Sequence, residues 1–461
     1  MTRGKVRSAD VVSFPKPELP PASEEALALY FAESRQADLR YVASWNTWMI
    51  WESFVWRQDR TLAVYDSIRP LIRAEADRTI EAGGRDAESE AKAIASARTV
   101  AAVERLARAD RKLAATNDIW DVDLMTLSTT GGIVDLATGE ISASSPAAFA
   151  TKLTRTGPDA SGSSCPQWLR FLELVTAGDQ DLMAYLQRVA GYCLTGRTGE
   201  HVLFFLYGPG RNGKSVFIDT LSRVMGDYSA VASMDTLIEA RGERHPTDLA
   251  MLRGARLVTA IESEKNRQWA EARVKQLTGG DPISARFMRQ DLFTYTPQFK
   301  LLIAGNHLPR LQSMDDAMRS RFHVIPFAVV IPKDLRIKDL KDILLVEAPG
   351  ILAWAIEGCL AWQRDGLAPP DAVRSATQAY VGEQDGLARW IADCCDRDAQ
   401  ARTAFADLFA SWKSWAARNG EFVGSSKSFA KNLELRGYEP DRNPGGAAAR
   451  VGLRLRSQRS L

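Results

Sequence analysis

"FFLYGPGRNGKSVFIDTL", residues 204–221, decides how the rest of the chain is read. An apolar and aromatic run meets a glycine-rich turn, then Lys214-Ser215, then a segment with helical apolar spacing. The pattern G-x-x-x-x-G-K-[S/T] is complete from Gly208 to Ser215. "HVLFFLY" before it has the composition of a buried strand, and "SVFIDTLSRVM" after it that of a helix. In this setting Gly208, Gly210 and Gly213 let the backbone turn so that N–H groups face phosphate oxygens, with Asn212 in the same loop. Lys214 is placed to neutralise the β- and γ-phosphates. Ser215 is placed to ligate Mg²⁺ at a helix N-terminus, where the dipole favours anions. ATP and Mg²⁺ are therefore the expected cofactors.

A nucleotide-hydrolysing site also needs an acid at the end of a second strand, to orient Mg²⁺ and polarise water. "ARLVTAIESEK" supplies Glu262 at the end of an apolar run, with Glu264 two residues on. Glu262 is the expected core acid and a metal ligand; which of the two activates water stays open. A third apolar run, "FKLLIAGN", ends in Asn306, a candidate for sensing the γ-phosphate. "DDAMRSRFHVIPF" then offers Arg319 and Arg321, either of which can stabilise charge on a neighbouring subunit's γ-phosphate. Between acid and sensor lies "RVKQLTGGDPISARFMRQDLFTYTP". Its Gly279-Gly280 and Asp281-Pro282 turn signals and the alternation from Ile283 to Met288 predict a β-hairpin. Lys275, Arg286 and Arg289 put positive charge on or beside it, as a grip on a nucleic-acid backbone requires.

The chain has 461 residues, room for about three domains at ~150 residues each. Apolar content is 45% and charged content 25%, ordinary for a globular protein. A net charge of +2 predicts no nucleic-acid partner by itself, but basic residues are in excess after Asp396. The five cysteines form no C-x-x-C pair and the four histidines are scattered, so a structural metal site is not expected and a reducing compartment is. The N-terminus lacks an apolar signal-peptide core, and no run approaches ~18 apolar residues. A cytoplasmic protein without a membrane partner is the expectation.

Trp45, Trp48 and Trp51 fit either one helical face or a compact aromatic module with Trp56, with a core role preferred over a base-stacking platform. Residues 62–117 predict a helical pair or bundle broken at Gly83-Gly84. "TTGGIVDLATGEI" predicts a tight hairpin. "QWLRFLELVTAGDQDLMAYLQRVAGYCLTG" predicts helix, residues 200–330 a parallel α/β sheet, and 333–393 helix again. The last ~65 residues show two helical patterns and a short hairpin.

The ordered set "GPGRNGKS", "AIESE", "QLTGGDPISARFMRQ", "LLIAGN" and "RSRF" resembles the superfamily 3 helicase domain of phage and plasmid primase–helicases, the group that includes the C-terminal half of the poxvirus primase–helicase. The stretches upstream resemble the region that precedes the helicase there. The resemblance runs from about residue 40 to 333 and more faintly to the end. It implies an AAA+-like P-loop ATPase core with a parallel sheet, preceded by a mainly helical domain and followed by a small winged-helix-like domain. It implies a ring, commonly a hexamer, moving 3′ to 5′ on single-stranded DNA and opening forked duplex in phage or mobile-element replication, in a bacterial cytoplasm. Residue by residue, it assigns Lys214 and Ser215 to the first motif, Glu262 and Glu264 to the second, 275–289 to DNA contact, Asn306 to the sensor and Arg321 to the finger. The expected parts are a leader over 1–23, an N-terminal domain over 24–195, the ATPase core over 196–335, a helical extension over 336–395 and the winged-helix-like domain over 396–461. With few residues ahead of Tyr41, primer synthesis is assigned to a separate primase or a replication initiator. Two rivals are a DNA translocase for packaging or defence, and a DNA-binding initiator or scaffold that ATP only locks into a ring.

Overall fold

The computed structural model describes residues 20, 22–159, 164–239, 247–262, 268–288, 291–309, 311, 316–419, 421, 423–442 and 445–456. The chain divides into two compact units, one from residues 1–122 and 144–151, the other from 123–143 and 152–461.

In the first unit, α1 (Glu24–Arg35) precedes three antiparallel strands, β1 (Leu39–Val42), β2 (Thr47–Glu52) and β3 (Val55–Gln58). Helices α2 (Ala63–Ala82), α3 (Ala87–Ile94) and α4 (Ala97–Ala107) follow, as the sequence predicts, and β4 (Ala114–Ala115) joins β1 in parallel. The tryptophans overturn the helical alternative. Trp48 and Trp51 both lie on β2, where a spacing of three puts them on opposite faces. Trp48 packs with α1, α2 and α4, and Trp51 with Trp56, Trp120 and Phe149. Trp56 and Trp48 are buried, as a core role requires.

The second unit opens with a meander, β5 (Thr126–Thr129), β6 (Gly132–Asp135) and β7 (Ile141–Ser142). Helices α5 (Pro166–Val175) and α6 (Gln180–Leu194) lead to β8 (Leu203–Tyr207) and α7 (Lys214–Met225). Then come β9 (Ser229–Val231), α8 (Thr247–Ala250), β10 (Leu257–Glu262) and α9 (Glu271–Gly279). The hairpin β11 (Ile283–Ala285) and β12 (Phe293–Tyr295) precedes β13 (Lys300–Gly305), α10 (Asp316–Arg319) and β14 (Phe322–Pro326). A five-stranded sheet runs β14-β8-β13-β10-β9, and every pair in it is parallel. Such a sheet must be covered on both sides, and its near-continuous apolar strands show it. Phe204, Leu206, Leu302 and Ile325 enter one core; Leu203, Phe205, Ile303 and Val324 enter the other. Fully burying side chains of this size contributes about 1.5–3 kcal/mol each.

The helices α11 (Leu340–Val346), α12 (Ala348–Asp365), α13 (Asp371–Gln384) and α14 (Gly386–Cys394) follow. Helices α6 and α12 meet at glycines: a Cβ on Gly191 would overlap the Cys359 backbone, and one on Gly358 the Gln187 carbonyl. The C-terminus of α6 is tied to the sheet by two buried cations. Arg256, just before β10, donates to the Leu194 carbonyl at 2.7 Å and to the Asp123 and Thr126 carbonyls. Lys300, the first residue of β13, donates to the carbonyls of Thr195 and Arg197. Cations on orphan carbonyls at a helix C-terminus satisfy both the hydrogen bonds and the dipole. These contacts place the meander, α5 and α6 with the parallel sheet, whereas the expected division kept residues up to 195 with the N-terminal helices.

At the chain's end, β15 (Cys395–Ala404), α15 (Phe405–Asn419), α16 (Ser426–Glu434), β16 (Pro440–Arg442) and β17 (Ala448–Leu455) build a sheet ordered β15-β17-β16 over its own core of Trp390, Trp412, Trp415 and Phe429. The sequence reading missed β15. "CDRDAQARTA" has no apolar alternation, and the strand is held by pairing and by ion pairs such as Arg454–Asp398 at 2.5 Å and Arg456–Asp396 at 2.8 Å. Among the described residues no single helix is long and apolar enough to cross a membrane.

Two outcomes check this packing. Gly191→Ala is expected to cost about 3 kcal/mol, near the upper end for overpacking, because the new methyl meets backbone; urea unfolding measures it. Burial lowers the Lys300 pKa to about 7, from 10.5. The unfolded chain therefore binds a proton there that the folded chain releases between those values. Wild-type stability relative to Lys300→Met is expected to rise with pH through that window, read as the difference in Tm at pH 6.5 and pH 9.

Candidate functional site

All five strands point the same way, so their carboxyl ends form one edge, the place where open parallel sheets bind ligands. The Gly208–Ser215 loop leaves β8 at this edge, Glu262 closes β10 and Asn306 follows β13. Glu262 pairs in register with Gly305, which puts the acid beside the residue before Asn306. Residues nearly a hundred positions apart thus share one rim.

The loop fits only glycine at two places. Gly208 has φ +150°, and a Cβ there would overlap the Phe327 carbonyl; Gly213 has φ +88°, and its Cβ would lie 2.5 Å from Val175 and 2.9 Å from Phe171. Gly210 faces open space. Helix α7 begins at Lys214 with Ser215 exposed in its first turn.

Lys214 is buried, and its ammonium is held by four neutral oxygens: the carbonyls of Gly208 (2.7 Å) and Pro209 (3.0 Å), Asn212 Oδ1 (3.0 Å) and Asn306 Oδ1 (3.1 Å). Desolvation lowers its pKa to about 8. A buried cation surrounded by neutral dipoles is suited to an incoming anion. Backbone N–H groups at the start of α7 add to that fit. The donor set suits a phosphate group with a hard divalent cation: Lys214 for the anion, and Ser215 Oγ with the buried Glu262 carboxylate as oxygen ligands for Mg²⁺.

The arginines lie elsewhere. Arg321 precedes β14, and its carbonyl accepts from Leu203 N, the first residue of β8, at 2.7 Å. That is the amino edge of the sheet, about 15 Å from the loop at ~3.3 Å per strand residue. Its guanidinium bonds Thr278 Oγ1 (3.1 Å) and the Ala317 carbonyl (2.6 Å). Arg319 ends α10 and pairs with Asp385 at 3.6 Å. The structure therefore does not bring Arg319 or Arg321 to their own chain's Lys214.

The hairpin forms between β11 and β12, with exposed Arg286 directly after β11. Lys275 is not on it; it sits half-buried on α9. Glu264 and Arg289 lie outside the described residues. Sequence reasoning passed over Phe287, which stacks on Phe293 with ring centroids 5.6 Å apart, and Met288, 69% exposed beside it. An apolar pair between two arginines on a predicted hairpin was the available signal. Also unread was the double use of Asn212, whose Nδ2 donates to the Phe327 carbonyl at 2.6 Å.

The fold and site define a mixed α/β protein with a cationic cradle at the carboxyl edge of a parallel sheet. Residues 25–177 match the D5 N-terminal-like family, and residues 206–321 match a family of unknown function, DUF5906. The chain is 26% identical over 287 residues to the provisionally named helicase L207/L206 of Acanthamoeba polyphaga mimivirus, covering 58% of this chain and 29% of that one. It is 26% identical over 265 residues to the similarly named 022R of Frog virus 3 (52% and 27%), and 30% identical over 269 residues to 121R of Invertebrate iridescent virus 3 (51% and 29%). The chain spans less than a third of the length of these curated relatives. The apo structure of the NrS-1 C-terminal region superposes with a TM-score of 0.52 over 93% of this chain and 99% of that one, at 10% identity. Its A form gives 0.50 over 93% and 100%, also at 10%. At that identity the likeness is one of fold. In sequence, the chain is similar over these stretches to the D5 N-terminal-like family and to viral proteins provisionally named helicases.

Lys214→Ala is expected to weaken nucleoside-triphosphate binding roughly 10- to 100-fold, the worth of a charge-assisted hydrogen bond. Gly208→Ala keeps the charge but displaces the loop, and a comparable loss is expected. Titration of both variants with a fluorescent ATP analogue measures this.

Proposed function

We propose that the chain is an ATP-dependent DNA helicase with a P-loop, AAA+-like core, acting as a ring of identical copies in the replication of a phage or other mobile element. The observation that carries this is the meeting of Lys214, Glu262 and Asn306 on one rim, with the ammonium held by four neutral oxygens. Lys214 takes the β/γ-phosphates and Asn306 exchanges its bond to Lys214 for one nearer the γ-phosphate. Glu262 orients the attacking water. Ser215 and Glu262 would hold Mg²⁺, which would supply neutralisation of charge on the phosphate oxygens.

The position of Arg321 supports a ring. A guanidinium at the amino edge serves only a nucleotide on a neighbouring copy, and a head-to-tail contact of that kind closes into a ring when its rotation allows. The exposed Arg286 on the β11–β12 hairpin suits a phosphate backbone, and Phe287 beside it suits a base. The strand–helix–helix–strand–strand order from β15 to β17 supports a winged-helix-like domain for duplex DNA. A hexamer, 3′ to 5′ movement and a separate primase or initiator belong to the same reading. Nothing in the geometry favours the translocase or the scaffold over the helicase.

The test is the ATPase rate with and without single-stranded DNA, for wild type and Glu262→Gln, with particle mass from the same samples and strand separation on a forked duplex. DNA-stimulated turnover, its loss of about a thousandfold in Glu262→Gln, a ring-sized mass and unwinding are expected. Turnover indifferent to DNA, with ATP-driven assembly, would replace the helicase with the scaffold. Stimulated turnover without strand separation would leave the translocase.

A further inference from the structure

Asn212 is 2% exposed and uses both ends of its amide. Oδ1 accepts from Lys214 at 3.0 Å, and Nδ2 donates to the Phe327 carbonyl at 2.6 Å. The orientation is forced, since an ammonium only donates and a carbonyl only accepts. Phe327 is the first residue after β14. The segment it begins runs along the loop: Phe327 N donates to the Tyr207 carbonyl at 2.7 Å, and Ile331 N to the Arg211 carbonyl at 3.0 Å. Gly208 packs so closely against the Phe327 carbonyl that no side chain fits between them. Strand β14 lies at the edge of the sheet, paired there with β8, and Arg321 precedes it directly.

We propose that Asn212 is a positioning residue that carries the occupancy of the glycine loop to β14, the strand on which Arg321 is mounted. The inference rests on the nucleotide-binding reading above. An anion that draws the Lys214 ammonium away removes the donor from Asn212 Oδ1. The amide is a rigid plane, so it cannot follow without moving the bond that Nδ2 makes to Phe327. The loop and the end of β14 then shift together. Asn306 also accepts from Lys214 but, among the described residues, makes no bond to β14, so it reports on the ammonium without passing the change on.

Hydrogen exchange on the full chain, with and without Mg²⁺ and a non-hydrolysable ATP analogue, tests this. In wild type, added protection is expected at 208–215 and at 327–331. In Asn212→Ala and Asn212→Ser, protection at 208–215 should remain while that at 327–331 falls to about a third or less. Their kcat should fall about tenfold with KM for ATP within about threefold, since the nucleotide still binds while Arg321 is no longer placed. Asn306→Ala should keep the response at 327–331. Thermal melts show that each variant is folded, and Asn212→Ser stands in if the alanine variant is not. Full protection at 327–331 in both Asn212 variants overturns the proposal, as does its loss in Asn306→Ala. Wild-type protection confined to 208–215 sinks the inference alone; none at 208–215 sinks the nucleotide-binding reading with it.

Discussion

A single ammonium group organises this molecule's working edge. Lys214 is buried, and among the described residues its ammonium is held by dipoles from the glycine loop and from Asn306. Burying a charge this way is costly unless the oxygens are fixed in place. Much of the second unit serves that fixing. Parallel strands bring the loop and Asn306 to one rim. Phe171 and Val175 leave no room for a Cβ at Gly213, and the Phe327 carbonyl closes on Gly208 from the other side.

The opposite edge of the sheet is fastened by the same chemistry turned to structural use. Arg256 and Lys300 sit at the starts of β10 and β13 and donate to carbonyls at the end of α6. Both also lie over aromatic faces, Arg256 on Tyr228 at 4.6 Å and Lys300 on Tyr192 at 4.8 Å. The sheet therefore carries cations at both ends. Those at the amino edge are saturated by a helix terminus, while the one at the carboxyl edge is held by loop and side-chain oxygens that can exchange it. The difference separates a scaffold from a site.

The C-terminal part is linked to the end of α10 by the Asp385 carboxylate. Asp385 caps α14 through the Ala388 amide, accepts two bonds from Arg436, and pairs with Arg319. An acid shared by two arginines and a helix N-terminus holds its elements more firmly than an isolated surface pair. Arg319, two residues from Arg321, is thereby occupied in packing the chain's end against α10.

Much of the rim is legible in the sequence. The run from Phe204 to Leu221 gave strand, loop and helix because glycine, lysine and apolar periodicity are local signals. The ends of β10 and β13 were visible for the same reason, as apolar runs stopping at Glu262 and Asn306. What stayed hidden depends on partners distant in the chain. A strand made of "CDRDAQARTA" has no pattern of its own and exists because β17 pairs with it. The tryptophans at 45, 48 and 51 carry a spacing that suits helix, yet they fold around a four-stranded sheet whose faces divide them. Lys275, expected on or beside the hairpin, belongs to α9. The sequence alone determined which chemical groups the site contains, since residue type and local spacing set them. The tertiary structure alone decided that Asn212 bridges Lys214 to Phe327 and that Arg321 stands at the far edge. Those facts follow from the order and direction of the strands, which no short stretch of sequence encodes.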